Sequence, residues 1–320
     1  MGIAPATAFL AAAAAALSAA GACAQPVPAG DPRDWRADDL RAGLASSFAL
    51  PVEDLYVKRS PSEWRNALDG LSLGAAFSMP LSRDREEGPR GATGAGGAAA
   101  TGSPTLQALL RYVPLGHWFV QATAYAYLEE DRQAPWNPDF SYGFGYDDPR
   151  PFTLSLVYFN YGGNRFDPDG DEDEVVTRFN SGTWSLGWKF PLPRAVADPF
   201  LIDREQRIDC GARLNVTPRY YDLDRGSDRG WKQSVSLNCR APVHGGWYLT
   251  GEAFAYPDGD DQQPWDPDFT YGFGYSGGWP GNLTIQYANY SGNRLPWRDR
   301  GRSQGRFIDG EFTISWTHSW

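Results

Sequence analysis

Apolar and polar residues alternate along most of the chain from Leu71 onward, which is the pattern of β-strands with one apolar face. In the first segment, Leu71, Leu73 and Phe77 are separated by small or polar residues. Eleven later segments have the same period of two. The twelve predicted strands cover residues 71–79, 106–112, 118–128, 140–146, 152–160, 184–190, 208–220, 233–241, 247–256, 269–275, 283–289 and 312–320.

The links between these strands alternate in length. Short links at 114–117, 147–151, 243–246 and 276–281 alternate with long polar ones at 83–104, 129–139 and 162–174. Short turns at one end and long loops at the other are typical of outer-membrane barrels. The last strand alternates from Phe312 and ends on Trp320, the final residue.

A terminal aromatic residue on an alternating strand resembles the assembly signal of Gram-negative outer-membrane β-barrel proteins. The resemblance covers residues 71–320 and is one of architecture, without a named subfamily. It implies an all-β, antiparallel transmembrane up-and-down barrel of about 12 strands in the cell outer membrane. It also implies outer-membrane lipid and lipopolysaccharide as surroundings, and the barrel-assembly machinery as a partner of the C-terminal strand. A soluble β-sandwich is the alternative, but it needs neither the terminal aromatic residue nor the unequal loops.

The chain also contains an internal duplication. Residues 135–165, PWNPDFSYGFGYDDPRPFTLSLVYFNYGGNR, recur as residues 264–294, PWDPDFTYGFGYSGGWPGNLTIQYANYSGNR, at a spacing of 264 − 135 = 129 residues. This period is too long for a solenoid repeat. We therefore predict a barrel built from two six-strand halves, at about residues 71–193 and 200–320.

The N-terminal region has a different character. Residues 1–24 are Ala-rich and end in Ala22-Cys23-Ala24, which predicts a secretory signal peptide cleaved before Gln25. Lipidation of Cys23 is the alternative. In residues 25–70, Asp31-Pro32 has the form of a helix start, and this segment is expected to be a short periplasmic helical segment or a plug.

Composition excludes one class of partner and leaves the state of two cysteines open. The net charge of −10 and the pI of about 4.8 argue against nucleic acid, whose binding proteins carry basic patches. Cys210 and Cys239 are predicted to lie on neighbouring strands, equidistant from a turn near Asp224. Both a disulfide and two free thiols are compatible with that placement.

The duplicated motif supplies candidate ligand-binding residues in the outward loops. Aromatic planes beside planar polar groups suit saccharide recognition, because stacking on a sugar ring can combine with hydrogen bonds to its hydroxyls. The alternative is that these residues hold the loops in place. The candidates are Trp136, Asp139, Asn164 and Arg165 in the first copy, and Trp265, Asp268, Asn293 and Arg294 in the second.

On each strand, the positions between the apolar residues are predicted to face the lumen. Basic residues dominate at these positions. Basic side chains in a pore favour anionic solutes, and the alternative is a network of salt bridges that fills a closed barrel. Small residues at Gly143, Gly145, Gly272 and Gly274 would leave room for a solute or a plug. The predicted lumen residues are Arg111, Lys189, Arg213, Arg219, Arg240 and Glu252, with Asp209 and Glu311 as further counter-charges.

Cofactors and catalytic residues are weakly indicated. Asp167, Asp169 and Asp171 alternate around a glycine as in calcium loops, and the alternative is a solvated acidic loop. No other cofactor is expected. The three histidines lie in predicted periplasmic turns or on the lipid phase, so an enzyme is the less favoured reading, with Asp139 and Asp268 as the only carboxylate pair suggested for glycan hydrolysis.

The sequence therefore favours an outer-membrane channel or export pore for a saccharide, expected to be anionic, which the duplicated loops contact. A closed barrel with a structural or adhesion role is the first alternative. A surface hydrolase acting on glycan or lipid is the second.

Overall fold

A computed structural model shows one closed barrel of twelve antiparallel strands in sequence order, with β1 paired to β12. It describes residues 70–81, 103–129, 133, 137–161, 164–166, 178–203, 206–222, 226–263, 266–277, 282–290, 293–295, 297 and 307–319. The all-β fold and the strand number are as predicted. The predicted signal peptide (1–24) and, except for Gly70, the predicted helical segment (25–70) lie outside the described residues.

The strands are β1 (Leu71–Pro80), β2 (Thr105–Leu115), β3 (Trp118–Tyr127), β4 (Phe140–Asp147), β5 (Leu154–Asn160), β6 (Thr183–Pro191), β7 (Asp209–Asp222), β8 (Ser227–His244), β9 (Trp247–Ala255), β10 (Phe269–Gly277), β11 (Leu283–Asn289) and β12 (Glu311–Ser319). One short helix, α1 (Arg194–Ala197), and 3-10 turns at Phe179–Ser181, Asp198–Phe200, Gly259–Asp261 and Phe307–Asp309 complete the described elements. None of the described helices is long and apolar enough to cross a membrane.

The outer face of the barrel is apolar and the inner face is polar. Leu154 and Leu249 on the outside are 60% and 54% exposed, whereas Ser78 and Thr317 on the inside are 2% and 5% exposed. This is the reverse of a water-soluble protein, and it leaves no unpaired sheet edge. The fold is therefore that of a barrel surrounded by lipid, with its short turns on the periplasmic side and its long loops outside.

Strands β7 and β8 form a hairpin that is longer than predicted. The residues that begin β8 are polar and charged, so they do not alternate with apolar ones, yet Asp222 pairs with Ser227 at the tip. The ladder between the two strands is interrupted at Pro218 and Trp231, and Trp231 has a φ of 63°. Proline lacks the amide hydrogen that a ladder needs. Side chains above this interruption change face, which places Arg219 differently from the prediction.

Corresponding strands of the two halves pair in the same register. Trp184 pairs with Val216 between β6 and β7, and Phe312 pairs with Met79 between β12 and β1. The next pairs on the outer face, Leu186 with Leu214 and Ile314 with Phe77, follow the same correspondence. The seam that closes the barrel is therefore built like the seam between the halves.

A disulfide joins Cys210 and Cys239 across β7 and β8. Of the two states that the sequence left open, the structure has the bonded one. The bond lies on the outer face near the periplasmic end, where Ala197, Leu201, Ile208 and Cys210 form a buried apolar cluster. The link from β6 to β7 packs here, so the disulfide also fixes the surface on which that link rests.

Candidate functional site

Asp139 is the centre of a cluster of contacts in the first copy of the duplicated motif. Its Oδ1 accepts hydrogen bonds from Gln133 Nε2 at 2.8 Å and from Arg165 Nη1 at 2.9 Å. Its Oδ2 accepts one from the Phe166 N–H at 3.1 Å. Burial raises the pKa of Asp139, but these hydrogen bonds and the charge of Arg165 outweigh burial and lower that pKa below its usual range.

The second copy has the same arrangement around Asp268. Its Oδ1 accepts from Gln262 Nε2 at 2.8 Å and from Arg294 Nη1 at 3.4 Å, and its Oδ2 accepts from the Leu295 N–H at 3.0 Å. The Asp268 side chain is 0% exposed, whereas that of Asp139 is 24% exposed. We call these two arrangements the loop clamps, centred on Asp139 and Asp268.

Asn164 and Asn293 connect the two loop clamps to the last residues of β5 and β11. Asn164 Nδ2 donates to Asn160 Oδ1 at 3.1 Å, and Asn293 Nδ2 donates to Asn289 Oδ1 at 2.9 Å. Both Asn164 and Asn293 are fully buried, and their carbonyls accept from the backbone N–H of the clamp aspartates, each at 2.7 Å. The structure thus brings together six of the eight predicted ligand-binding residues, in contacts with one another.

The remaining two predicted residues, Trp136 and Trp265, lie outside the described residues. Two glutamines of the clamps, Gln133 and Gln262, were not among the predicted residues. They are also 129 residues apart, just before the quoted motif, so extending the duplication by two residues would have found them. Each clamp carboxylate is bound by the arginine and the glutamine of its own copy. These contacts agree with the alternative interpretation, in which the duplicated residues hold the loops in place.

A second duplicated contact fastens the long loops to the outer face. Tyr158 donates to the carbonyl of Phe179 at 2.6 Å, and Tyr287 donates to that of Phe307 at 2.7 Å. In each pair the rings are stacked, with centroids 4.4 Å and 4.3 Å apart. Both tyrosines are 0% exposed although they occupy outward positions on their strands. Strand alternation assigns them to lipid, so it does not reveal this contact.

Inside the barrel, two arginines lie over aromatic rings at equivalent positions. The guanidinium carbon of Arg111 is 3.8 Å from the centroid of Phe119, and that of Arg240 is 3.6 Å from the centroid of Tyr248. Arg111 also donates to Gln121 Oε1 at 3.1 Å. Such contacts stabilise a buried cation by the negative face of the ring.

The inward glycines of β4 and β10 provide room for neighbouring groups of the barrel wall. A Cβ on Gly274 would lie 2.6 Å from the Tyr248 hydroxyl, and one on Gly272 would lie 2.5 Å from the Tyr287 carbonyl. A Cβ on Gly143 or Gly145 would lie 2.8 Å or 2.2 Å from backbone oxygens of β5. The space that was predicted for a solute or a plug is therefore taken by the wall itself.

Two of the inward lysines are neutralised by aspartates. Lys189 Nζ donates to Asp147 Oδ1 at 2.6 Å. Lys232, which the sequence analysis missed because its strand was predicted to begin one residue later, forms an ion pair with Asp266. Both pairs are largely buried, so they act as fixed, neutral parts of the wall.

Arg213 and Arg219 differ in their surroundings. Arg213 is inward, opposite Gly187 and Ser236, is partly exposed, and has no ion pair within the described part of the chain. Arg219 lies above the interruption in the ladder, where its Nε donates to Asp228 at 2.9 Å and its side chain is 39% exposed. Arg219 therefore does not share the lumen environment predicted for it.

Inward side chains are mostly buried, but a series of them is partly exposed at every level of the barrel. Since these residues point away from lipid, the exposed surface faces the interior. From the extracellular to the periplasmic end the series includes Tyr161, Tyr290, Tyr256, Phe159, Phe254, Ser185, Ser234, Arg213, Thr250 and Asp209. Most of these residues belong to the wall formed by β5 to β9.

No group of three or more His, Cys, Asp or Glu within the described ranges is arranged to hold a metal ion. The predicted calcium ligands Asp167, Asp169 and Asp171 lie outside those ranges.

The closed antiparallel sheet, the apolar outer face and the polar lumen define an outer-membrane β-barrel protein. No protein-family model matches the chain, and no curated protein is similar to it in sequence. Among solved structures, Salmonella typhi OmpF in complex with daunomycin is 10% identical, with 78% of this chain and 97% of that chain covered and a TM-score of 0.35. A Pseudomonas aeruginosa FadL homologue is 11% identical, with 78% and 90% covered and a TM-score of 0.28. Similarity of this size carries no conclusion about a solute.

Proposed function

We propose that this chain is an outer-membrane channel for a saccharide that carries negative charge. The observation that supports it is the series of partly exposed inward side chains through the whole barrel, with Arg213 partway along. If the lumen served only as packing, we would expect Arg213 to be buried against a carboxylate. Lys189 and Lys232 of this protein are buried in that way.

The chemistry of the series suits a hydroxylated anion. The hydroxyls of Ser185 and Ser234 each form one hydrogen bond with Asn215 and keep capacity for another. Phe159 and Phe254 supply apolar surface, and Arg213 supplies positive charge. Stacking on aromatic rings together with directed hydrogen bonds is how proteins bind sugars, and a single lumen cation raises the local concentration of anions.

The first contact of the saccharide with the protein is proposed to be at the extracellular loops. Because the polar residues of the loop clamps bind one another, this contact rests on Trp136 and Trp265, the aromatic residues of the duplicated motif. Replacing both by alanine should weaken block of the current by an acidic oligosaccharide. Unchanged block would remove the loops from the proposal without affecting the lumen.

The test of the lumen is single-channel recording of the refolded protein in a planar bilayer under a salt gradient. The wild type should prefer anions, and Arg213→Gln should reduce the ratio of anion to cation permeability by about twofold or more. Arg219→Gln is the matched control, since it removes the same charge from an exposed position and should leave the ratio unchanged. Equal effects of the two substitutions would contradict the assignment of Arg213 to a conducting lumen.

A closed barrel with a structural role is the second candidate, and the deep burial of most inward side chains favours it. Ser72, Ser236, Asn238 and Thr284 are each 1% exposed. This candidate predicts no current from a correctly folded barrel, with or without the substitutions, and folding is checked independently by the shift of heat-modifiable barrels on a gel.

A further inference from the structure

The extracellular half of the lumen contains five tyrosines and two carboxylates to which the channel proposal gives no role as a site. On the strands, Tyr125 and Tyr127 are opposite Gln107 and Thr105, inward positions of β2. Tyr161, Tyr256 and Tyr290 follow the ends of β5, β9 and β11. All five residues are partly exposed.

The two carboxylates are Glu252 on β9 and Glu311 at the start of β12. They are 5% and 8% exposed, and neither has an ion pair or a hydrogen bond with another residue that the structure describes. They differ in this from the aspartates Asp147 and Asp266, which are bound by lysines. Two buried acids without a counter-charge in the surrounding wall are unfavourable unless something else supplies it.

Four of the five tyrosines lie within electrostatic reach of these carboxylates. Glu311 is close enough for its charge to act on Tyr125, Tyr161 and Tyr290, and Glu252 acts in the same way on Tyr256 and Tyr290. The rings of Tyr125 and Tyr161 meet edge to face, with centroids 5.8 Å apart and an interplanar angle of 79°. The arrangement combines negative charge with aromatic faces.

Two described cations near these tyrosines already bind other carboxylates. Arg165 and Arg294, whose charges act on Tyr127 and Tyr256, hold the clamp aspartates Asp139 and Asp268. They are therefore not the counter-charge of the two glutamates.

We propose that the tyrosines and glutamates form a binding site for an organic cation, with an ammonium or quaternary ammonium group held between Glu311, Glu252 and the aromatic faces. Tyrosine faces attract such cations, and the attraction increases when water is excluded. A hard metal ion suits the site less well, because calcium requires about six to eight oxygen ligands and magnesium a near-ideal octahedron.

The experiment is titration of the folded, detergent-solubilised barrel with choline, followed by calorimetry or tyrosine fluorescence. It is done at about pH 8.5, about four units above the ordinary pKa of a glutamate, to favour the ionised form of the two acids. The neutral isostere 3,3-dimethylbutan-1-ol is the matched ligand control, because it has the same shape without the charge. Choline should bind saturably, and the isostere at least about tenfold more weakly.

Variants of the two acids test the site without depending on conductance. Glu311→Gln and Glu252→Gln should each weaken choline binding by about tenfold or more, whereas Asp228→Asn, at an exposed carboxylate, should leave it unchanged. Glutamine keeps the size of the side chain, and the gel shift on heating shows whether each variant is folded. Equal binding of choline and its isostere, absence of choline binding to the wild type, or full binding by both glutamine variants would overturn the inference. The anion preference is measured separately with Arg213→Gln, so failure of choline binding and failure of the channel proposal can be told apart.

Discussion

The two loop clamps allow one prediction to be tested against an internal control. Asp268→Asn and Asp139→Asn make the same chemical change at equivalent positions, but Asp268 is fully buried whereas Asp139 is 24% exposed. In both variants one carboxylate oxygen becomes an N–H donor that faces a donor already present, either the glutamine amide or a backbone N–H. The loss of charge also removes the carboxylate that each arginine binds, although Arg294 keeps its hydrogen bonds to the carbonyls of Asp266 and Gln263.

The difference in burial determines the expected magnitudes. Removing one partner of a buried ion pair destabilises a protein by about 3–5 kcal/mol, whereas exposed pairs contribute about 0–1 kcal/mol. Because the Arg294 contact is long at 3.4 Å, we take the lower limit of the buried range, about 3 kcal/mol, for Asp268→Asn. For Asp139→Asn, whose carboxylate is partly screened by water, we expect about 1 kcal/mol.

The measurement is urea unfolding of the barrel in detergent or lipid vesicles, followed by tryptophan fluorescence. With a slope of about 3 kcal/mol per M, the expected losses lower the midpoint by about 1 M and about 0.3 M respectively. Asp228→Asn, at an exposed ion pair, is the control and should shift the midpoint little. A loss for Asp139→Asn equal to that for Asp268→Asn, or negligible losses for both, would refute the argument from burial.

Three further predictions follow from the loop contacts and the disulfide. Gly310→Ala should destabilise the barrel by about 1–3 kcal/mol in the same assay, because the added Cβ would lie 2.5 Å from the Tyr287 hydroxyl; an unaffected midpoint would show that the loop contact is adjustable. Mass spectrometry after denaturation without reductant should find Cys210 and Cys239 unlabelled by a thiol reagent, and labelling of both would contradict the disulfide. Since the folded pKa of Asp139 is lowered, its contribution to stability is present above the unfolded pKa of about 3.9 and is lost as pH falls through the folded value. The difference in unfolding free energy between wild type and Asp139→Asn should therefore shrink below about pH 4, and a pH-independent difference would contradict the assignment.

The barrel could be predicted from the sequence because its determinants are local. A period of two fixes which side chains face lipid, and the unequal links fix which end carries the loops. The boundaries of β8 could not be predicted in this way, since Ser227 to Lys232 belong to the hairpin although they do not alternate between apolar and polar residues. The placement of Arg219 failed for a related reason, because counting by twos cannot detect the interruption at Pro218 and Trp231.

The loop clamps show how far the role of a site residue can be predicted from the sequence. The sequence identified Asp139 and Arg165 as a pair worth attention, but a duplicated ligand site and a duplicated structural contact have the same sequence signature. What distinguishes them is the full set of hydrogen bonds, which includes a backbone N–H from Phe166 and an amide from Gln133. Those partners depend on the backbone path of the loop, and that path cannot be predicted from the types of residue in it.

The matching registers of the two seams have a consequence for the origin of the protein. A six-strand half carries one edge like β1 and one like β6, and in the full chain each such edge pairs with its counterpart from the other half. A polypeptide of half the length would have complementary edges, and two copies would close into a twofold symmetric barrel with the same number of strands. Matching seams are what duplication and fusion of such a half would produce, with residues 192–208 as the joint. A circular permutant opened at that joint should retain every strand pair, although it would begin with β7 and end with β6.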